Sequence, residues 1–373
     1  MIVTILVFLV ILSILVLIHE AGHFFVARFF NIKVEEFGFG IPPRAFGKKI
    51  GETLYSINWL PIGGFVKLYG EDEAGAGKVS LSSSKPKPAP KDESRAFYSR
   101  PVWQRFAVVF AGVFMNFVLA VAIVSVLFSI VGVSVPAKHV LVREVLNDSP
   151  AEKAGIIAGD IIENINGDEI ESPQEVISLT KKHLGEEITL RIQNQGKERI
   201  IKITPRKVYP KNQGPLGVGI EPNFETKKYP IWEAPFVGTR EVLNQTGLIL
   251  QGLSNTLVQI FTQGKIPSDV AGPVGIAQIT GKIVSIGPSA VLSFMALLSL
   301  NLAIINVLPI PALDGGRLLF IVIEGVTRKK VSPRAESMAH TIGMAFLLGL
   351  IALITIHDIF RALSGQPILP QLK

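Results

Sequence analysis

The sequence predicts a polytopic α-helical membrane protein with four transmembrane helices, a membrane-associated β-hairpin region and one inserted α+β domain. Of its 373 residues, 48% are hydrophobic and 18% are charged, whereas soluble domains carry about a quarter charged residues. Four long apolar stretches account for the difference, and a polar segment with strand-like alternation separates the second from the third. The chain has no cysteine, which excludes disulfides and cysteine zinc ligands.

Four apolar stretches are long enough to cross a hydrocarbon core about 30 Å thick, at residues 2–18, 106–135, 283–313 and 338–356. The first three carry no charge, and the fourth contains one ionisable residue, His340. A cleavable signal peptide is the alternative for the first stretch. No basic residue precedes that stretch and no small-residue cleavage site follows it, which favours a retained membrane helix.

The basic residues lie in the loops between apolar stretches. Residues 28–105 contain 13 Lys and Arg against 8 Asp and Glu, whereas residues 137–207 contain 11 against 12. Cytoplasmic loops carry such an excess, so we expect both termini and residues 136–282 to lie outside the cytoplasm. This distribution favours a membrane protein over a nucleic-acid-binding one as the reason for the formal charge of +7. Residues 78–100, rich in Lys, Pro and Ser, are expected to form a mobile linker.

These patterns divide the chain into four parts. The two membrane halves are residues 1–135 and 283–373. Between them, residues 136–222 form the α+β domain, and residues 223–282 form a linker with a helix. Leucine and isoleucine at helical spacing place that helix at 239–262. We expect it to lie at the membrane interface as an amphipathic helix, or to pack on the α+β domain.

His19, Glu20 and His23 form the pattern H-E-x-x-H at the end of the first apolar stretch. Histidines four residues apart lie on one helix face, where both imidazoles can reach one metal ion. The glutamate beside them can take a proton from water. A polar helix end at the membrane interface is the alternative. Three ionisable groups within five residues of a membrane helix favour a functional site, since such groups are costly there.

A hydrolytic zinc site normally takes a third protein ligand, and Asp314 is the better candidate. It follows the third apolar stretch on the cytoplasmic side, at the level expected for the two histidines. Pro309 and Pro311 interrupt the helix before it, and freed backbone at membrane depth occurs where it is buried or lines a cavity. A helix-ending turn with a solvated aspartate is the alternative. The other histidines are weaker candidates: His139, His183, His340 and His357.

The motif H-E-x-x-H at 19–23, together with N-x-x-P-x-P-x-L-D-G at 306–315, resembles the site-2 protease family of intramembrane metalloproteases. The resemblance is closest to the bacterial regulator-of-sigma-E branch, and it covers nearly the whole chain. It implies a multi-pass protein of the bacterial cytoplasmic (inner) membrane. It also implies one Zn²⁺ per chain held by His19, His23 and Asp314, with Glu20 as catalytic base and Asn306 contacting the substrate backbone.

Two further segments resemble parts of this family. Residues 55–68 contain a Pro and Gly-Gly turn between two apolar runs, which predicts a hairpin similar to the family's membrane-associated β-region. Its edge, with Gly63 and Gly64, would bind an unwound substrate by strand addition; an ordinary cytoplasmic hairpin is the alternative. Residues 111–117 resemble a Gly-Pro-x-x-Asn-Phe segment with Val113 in place of proline, and Asn116 is expected to bond to another helix.

Residues 149–167 carry an S-P-A, A-G, G-D and N-G series that resembles a bacterial PDZ domain, present in one copy. A helix is predicted around 173–183, strands at 188–193 and 199–204, and a closing strand at 214–220. The sequence identifies no carboxylate-binding loop. It therefore leaves open whether this extracytoplasmic domain gates substrate entry or binds peptide tails.

The leading hypothesis is an active intramembrane zinc metalloprotease. By resemblance, its substrates are single-pass membrane proteins in the lipid bilayer, such as anti-sigma factors or signal-peptide remnants, cut first by an upstream protease. A non-catalytic PDZ membrane scaffold is the alternative, and the complete H-E-x-x-H and L-D-G motifs argue against it. A zinc transporter is a weaker hypothesis, because no polar path crosses all four apolar stretches.

Overall fold

The computed structural model describes residues 2–71, 93–210, 213–263 and 272–364. Its helices are α1 (Ile2–Phe29), α2 (Val102–Ile130), α3 (Pro150–Lys153), α4 (Pro173–Lys182), α5 (Ala234–Gln263), α6 (Pro273–Ile286), α7 (Pro288–Val307), α8 (Asp314–Thr327) and α9 (Pro333–Leu363). Its strands are β1 (Val34–Ile50), β2 (Thr53–Leu68), β3 (Val133–Val145), β4 (Ile161–Ile165), β5 (Asp168–Glu169), β6 (Ile188–Asn194), β7 (Lys197–Ile203) and β8 (Val218–Lys227). The chain forms two compact units, one of Met1–Ser129 with Pro230–Lys373 and one of Ile130–Tyr229.

Among the described residues, four helices are long and apolar enough to cross a membrane: α1, α2, α7 and α9. Only 17% of the most apolar window of α1 and 6% of that of α9 is buried. Large apolar side chains such as Ile2 and Phe346 are more than two-thirds exposed. Such surfaces are stable against lipid. The four spans predicted from the sequence are therefore found, although their ends differ.

The predicted ends of two spans were wrong for identifiable reasons. The third span was predicted to begin at residue 283. The helix is interrupted at Gly287, so residues 283–286 belong to α6. Gly287 has a φ of 134°, and Pro288 starts α7 at the position where a missing N–H costs least. The second stretch ended at residue 135, but β3 already begins at Val133, since residues 133–135 pair there with β8.

The first unit contains a folded-back pair of strands, β1 and β2. Glu36 lies opposite both Leu54 and Lys67, and Phe39 lies opposite both Ile57 and Gly64. The two arms of β2 therefore flank the first part of β1, and residues 58–63 reverse the chain between them. The sequence predicted the reversal but paired the two arms with each other; that pairing was wrong, because β1 lies between them.

One apolar cluster fixes these strands against the helices of the first unit. It joins α1, the β1–β2 pair, α2 and α8 through buried residues that include Phe24, Val66, Val108 and Leu318. Burying a side chain of this kind contributes roughly 1.5–3 kcal/mol. The cluster therefore holds the C-terminal end of α1 and the first half of α8 close together.

The second unit is an antiparallel sheet with the strand order β7-β6-β4-β3-β8, and β5 pairs with β4. Its core is built mainly of isoleucine and leucine, with Ile162, Ile165 and Leu190 fully buried. The predicted helix at 173–183 and the strands at 188–193 and 199–204 match α4, β6 and β7 within two residues. The candidate closing strand at 214–220 corresponds to the start of β8, which runs on to Lys227.

The helix predicted at 239–262 is found as α5, longer by five residues at its start and one at its end. Most of the predicted linker at 78–100 lies outside the described residues. The helix α8 was not predicted, because its sequence had been assigned to a basic loop.

Candidate active site

Three ligand atoms from two helices meet at one point. His19 and His23 lie on one face of α1, and Asp314 is the first residue of α8. The Nε2 atoms of the histidines are 3.2 Å apart. Asp314 Oδ2 lies 3.0 Å from Nε2 of His19 and 3.3 Å from Nε2 of His23. These side chains form a triangle with nearly equal sides.

The triangle fits a zinc ion. Two atoms bound to one tetrahedral zinc at about 2.0–2.1 Å lie about 3.3–3.4 Å apart, close to the distances between the three ligand atoms here. Two imidazoles and one carboxylate are also a ligand set of catalytic zinc sites, which leave a fourth position open. Among the described residues, these three form the group able to hold a metal ion.

Helix α2 contacts both histidines at their Nδ1 atoms. The Nδ1 of His23 donates to the carbonyl oxygen of Val108 at 2.8 Å, and the Asn116 amide lies 3.2 Å from Nδ1 of His19. Between these contacts, Gly112 touches both rings: a Cβ there would meet Nε2 of His23 and lie 2.9 Å from Cε1 of His19. Asn116 thus bonds to another helix, as predicted, and its partner is a candidate ligand.

A tight turn brings Asp314 to the two histidines. Ala312 has a φ of 82°, a conformation that costs an L-residue roughly 1–2 kcal/mol. Its N–H donates to Nδ1 of His340 on α9 at 2.9 Å. Pro311 packs directly on Gly343, where a Cβ would lie 2.5 Å from that of the proline. Helix α9 therefore supports the strained turn.

A cavity of about 170 Å³ opens beside the three ligand atoms, and its walls include Glu20, Phe65, Val66 and Val109. It also contains an ion pair, in which Arg317 Nη1 donates to Glu71 Oε1 at 2.8 Å. The other oxygen of Glu71 accepts from the backbone N–H of Leu68 at 3.0 Å. The pair ties the end of β2 to α8 within one turn of Asp314.

Comparison with known proteins identifies the family. The model of peptidase family M50 matches residues 7–350, which is most of the chain. The chain belongs to peptidase family M50. It is therefore a zinc metalloprotease of the site-2 protease type, as its motifs predicted, and a multi-pass membrane protein.

Curated relatives match over nearly their whole length. A protein of Clostridium acetobutylicum is 35% identical over 93% of this chain and 94% of its own. Regulator of sigma-W protease RasP of Bacillus subtilis is 30% identical over 96% of this chain and 98% of its own. Zinc metalloprotease RasP of Shouchella clausii is 33% identical over 97% of this chain and 100% of its own.

Among solved structures, the PDZ domain of an SdrC-like protein of Listeria monocytogenes matches part of this M50 peptidase. It is 27% identical and covers 24% of this chain and 93% of that one, with a TM-score of 0.21.

The other predicted site residues of this M50 peptidase lie at different distances from the ligand triangle. Gly64 is close: a Cβ there would lie 3.4 Å from Cγ of Glu20. Gly63 has a φ of 82°, and a Cβ there would meet Ile41 at 3.9 Å. Asn306 is half-buried near the end of α7 and is not among the described residues that line the cavity.

Several residues were not identified from the sequence as part of the site, although Asn116 was expected to bond to another helix. Gly112 and Asn116 are four residues apart, so they lie on one face of α2, and this spacing within an apolar helix was the available signal. Arg317 follows Asp314 by three residues, which again places both on one helix face. Glu71 had no sequence signal, because its contact with Arg317 depends on how β2 folds back.

Proposed function

We propose that His19, His23 and Asp314 bind one zinc ion per chain and that Glu20 is the general base of peptide hydrolysis. The observation that carries this proposal is the triangle of ligand atoms, with sides of 3.0–3.3 Å, beside a cavity that Glu20 lines. A scaffold without activity would need none of these four groups together.

The side chains at the site have separate roles in the proposed reaction. When bound, zinc acts as a Lewis acid that polarises the scissile carbonyl and acidifies water. A carboxylate oxygen of Glu20 takes the proton of the attacking water and passes it to the leaving amide nitrogen. His19, His23 and Asp314 supply the zinc ligands and leave the cavity side open. Phe65 and Val66 place an apolar wall there, which limits competing water.

The substrate is proposed to bind along the second arm of β2, residues 64–68. This arm pairs with β1 on one side, and among the described residues no strand pairs with its other side. Phe65, Val66 and Leu68 of the arm line the cavity, and Gly64 lies against Glu20. An unwound substrate segment can add to such an edge as a further strand, with Gly63, Gly64 and Asn306 near its backbone.

The proposed substrates are single-pass membrane proteins. The B. subtilis relative is named a regulator of sigma-W protease, and this chain covers that relative almost completely. As the resemblance of the motifs to the site-2 protease family implies, anti-sigma factors and signal-peptide remnants are the proposed substrate classes, with an upstream protease acting first. The unit Ile130–Tyr229 is proposed to be a PDZ domain outside the cytoplasm of a bacterial cell, with both termini on the same side.

Substitution of Glu20 separates zinc binding from catalysis. Glu20→Gln keeps the size of the side chain and removes the proton acceptor, so zinc content should stay near one per chain while turnover falls by at least about 10²-fold. His19→Ala, His23→Ala and Asp314→Ala should each lose zinc. The measurements are metal analysis of the purified chain and cleavage of a transmembrane substrate. Normal cleavage by Glu20→Gln would refute the assigned role.

A further inference from the structure

Each candidate zinc ligand on α1 has its second ring nitrogen held by α2. For His23 the holding group is the carbonyl oxygen of Val108, 2.8 Å from Nδ1. A carbonyl only accepts, so Nδ1 of His23 carries the proton and Nε2 presents its lone pair to the metal. For His19 the holding group is the side chain of Asn116, 3.2 Å from Nδ1.

Asn116 carries a buried amide group beside His19 with an unused hydrogen-bond acceptor. It is fully buried, and its Oδ1 has no hydrogen-bond partner among the described residues. Its backbone oxygen accepts from Ser299 Oγ of α7 at 2.8 Å, so the residue is fixed between two helices. An unpaired buried amide oxygen costs about 1–3 kcal/mol of folding free energy. An amide at this position therefore destabilises the fold unless it serves a function.

If His19 binds zinc through Nε2, its Nδ1–H requires a hydrogen-bond acceptor, and Asn116 is placed to supply one. A neutral imidazole that binds zinc through Nε2 keeps its proton on Nδ1, and that N–H needs an acceptor in a buried site. In the structure the amide presents Nδ2 to His19. Rotation of the amide by 180° exchanges its donor and acceptor ends within the same volume and brings Oδ1 to Nδ1.

We propose that Asn116 is a positioning residue of the zinc site, which accepts a hydrogen bond from Nδ1–H of His19 through Oδ1 when Nε2 of His19 binds zinc. The inference rests on the proposed zinc site and extends it to α2. Asn116 touches neither the metal nor the substrate. Its effect is to fix the ring orientation of His19 and to strengthen the nitrogen as a ligand.

The alternative is a residue that only packs α2 against its neighbours. The two roles differ in which substitutions they tolerate. Leucine has nearly the same size and is well suited to an apolar helix, so a packing role accepts it. Aspartate keeps the acceptor and is poorly suited to packing, so a positioning role accepts it.

The test uses the full-length chain in lipid nanodiscs and measures the zinc dissociation constant by competition with a chelator. Asn116→Leu should weaken zinc binding by about 10–100-fold. Asn116→Asp should stay within about threefold of the wild type, because a carboxylate also accepts from an imidazole N–H. Ser299→Ala is the matched control: it removes a buried contact of the same residue and should leave zinc affinity unchanged.

The outcomes are distinct. Wild-type affinity in Asn116→Leu would overturn the positioning role, and so would an equal loss in the Leu and Asp variants if both are folded. An equal loss in Ser299→Ala would assign the effect to packing. If Asn116→Asp does not fold, the comparison of Asn116→Leu with Ser299→Ala decides. Failure of the wild-type chain itself to bind zinc would instead refute the proposed function.

Discussion

At the scale of single residues, position 112 of α2 shows why the two histidines can meet. The imidazoles of His19 and His23 lie against the backbone of Gly112, in space that a side chain would occupy. Glycine in the middle of a helix costs roughly 0.5–1 kcal/mol relative to alanine. The close approach of the rings explains its presence here, as small residues allow membrane helices to pack closely.

Gly112→Ala should therefore disturb the metal site more than the fold. The added methyl group would lie 2.9 Å from Cε1 of His19 and press on Nε2 of His23, so the rings must shift from the positions in which they meet Asp314. We expect zinc affinity to fall by at least about tenfold, measured by chelator competition. Gly349→Ala makes the same change in α9, where a Cβ meets nothing within 4 Å, and should have no effect. Equal zinc affinities in the two variants would contradict this account.

At the scale of elements, α9 acts on the site without contributing a ligand. His340 accepts the N–H of Ala312, and Gly343 one turn later provides the surface for Pro311. The turn carries a left-handed alanine, so it depends on such support to persist. The stability of this turn determines the position of Asp314 relative to α1.

His340→Leu should release this turn. The partly buried Ala312 N–H would lose its partner, at a cost of about 1 kcal/mol, and we expect weaker zinc retention and slower cleavage. His340→Gln, whose carbonyl oxygen can accept the same bond, should retain most of both. Zinc loss during dialysis against a chelator gives the comparison. If Leu and Gln behave alike, the hydrogen bond does not hold the turn.

The comparison of sequence and structure is also clearest at this scale. Apolar length and periodicity identified α1, α2, α7, α9 and α5, because each pattern reflects burial or lipid contact within one element. The spacing of His19 and His23 placed them on one helix face for the same reason. Helix α8 was missed because its sequence, which follows two prolines, was assigned to a basic loop. The pairing of β2 was wrong because it depends on β1, a contact between distant segments.

The residues that surround the candidate ligands show the same limit of sequence-based prediction, which does not detect contacts between distant segments. Asp314 was found because its motif marks a break in an apolar helix. Gly112, Glu71 and Arg317 act through contacts with other elements, which no local pattern encodes. Sequence therefore predicted the groups that are proposed to do the chemistry, and the structure was needed to find the residues that contact them.

At the scale of the whole molecule, the proposed orientation in the membrane explains how candidate ligands more than 290 residues apart reach one depth. The 17 residues from Ile2 to Ile18 rise roughly 25 Å at 1.5 Å each, which places His19 towards the far side of a core about 30 Å thick. Asp314 follows the C-terminal end of α7. Both helices must then cross in the same direction, which agrees with basic loops after each of them.

This orientation can be tested with single cysteines, because the chain has none of its own. Lys48→Cys in β1 and Lys197→Cys in β7 replace exposed residues, so neither change should disturb the fold. In intact spheroplasts, a membrane-impermeant thiol reagent should label Lys197→Cys, since the unit Ile130–Tyr229 is proposed to lie outside. Lys48→Cys should be labelled only after lysis, because the loop after α1 is proposed to be cytoplasmic. Ser364→Cys, at the end of α9, should behave like Lys197→Cys. Labelling of Lys48→Cys and Lys197→Cys from the same side would mean that α2 does not cross the membrane, and the proposed orientation would be wrong.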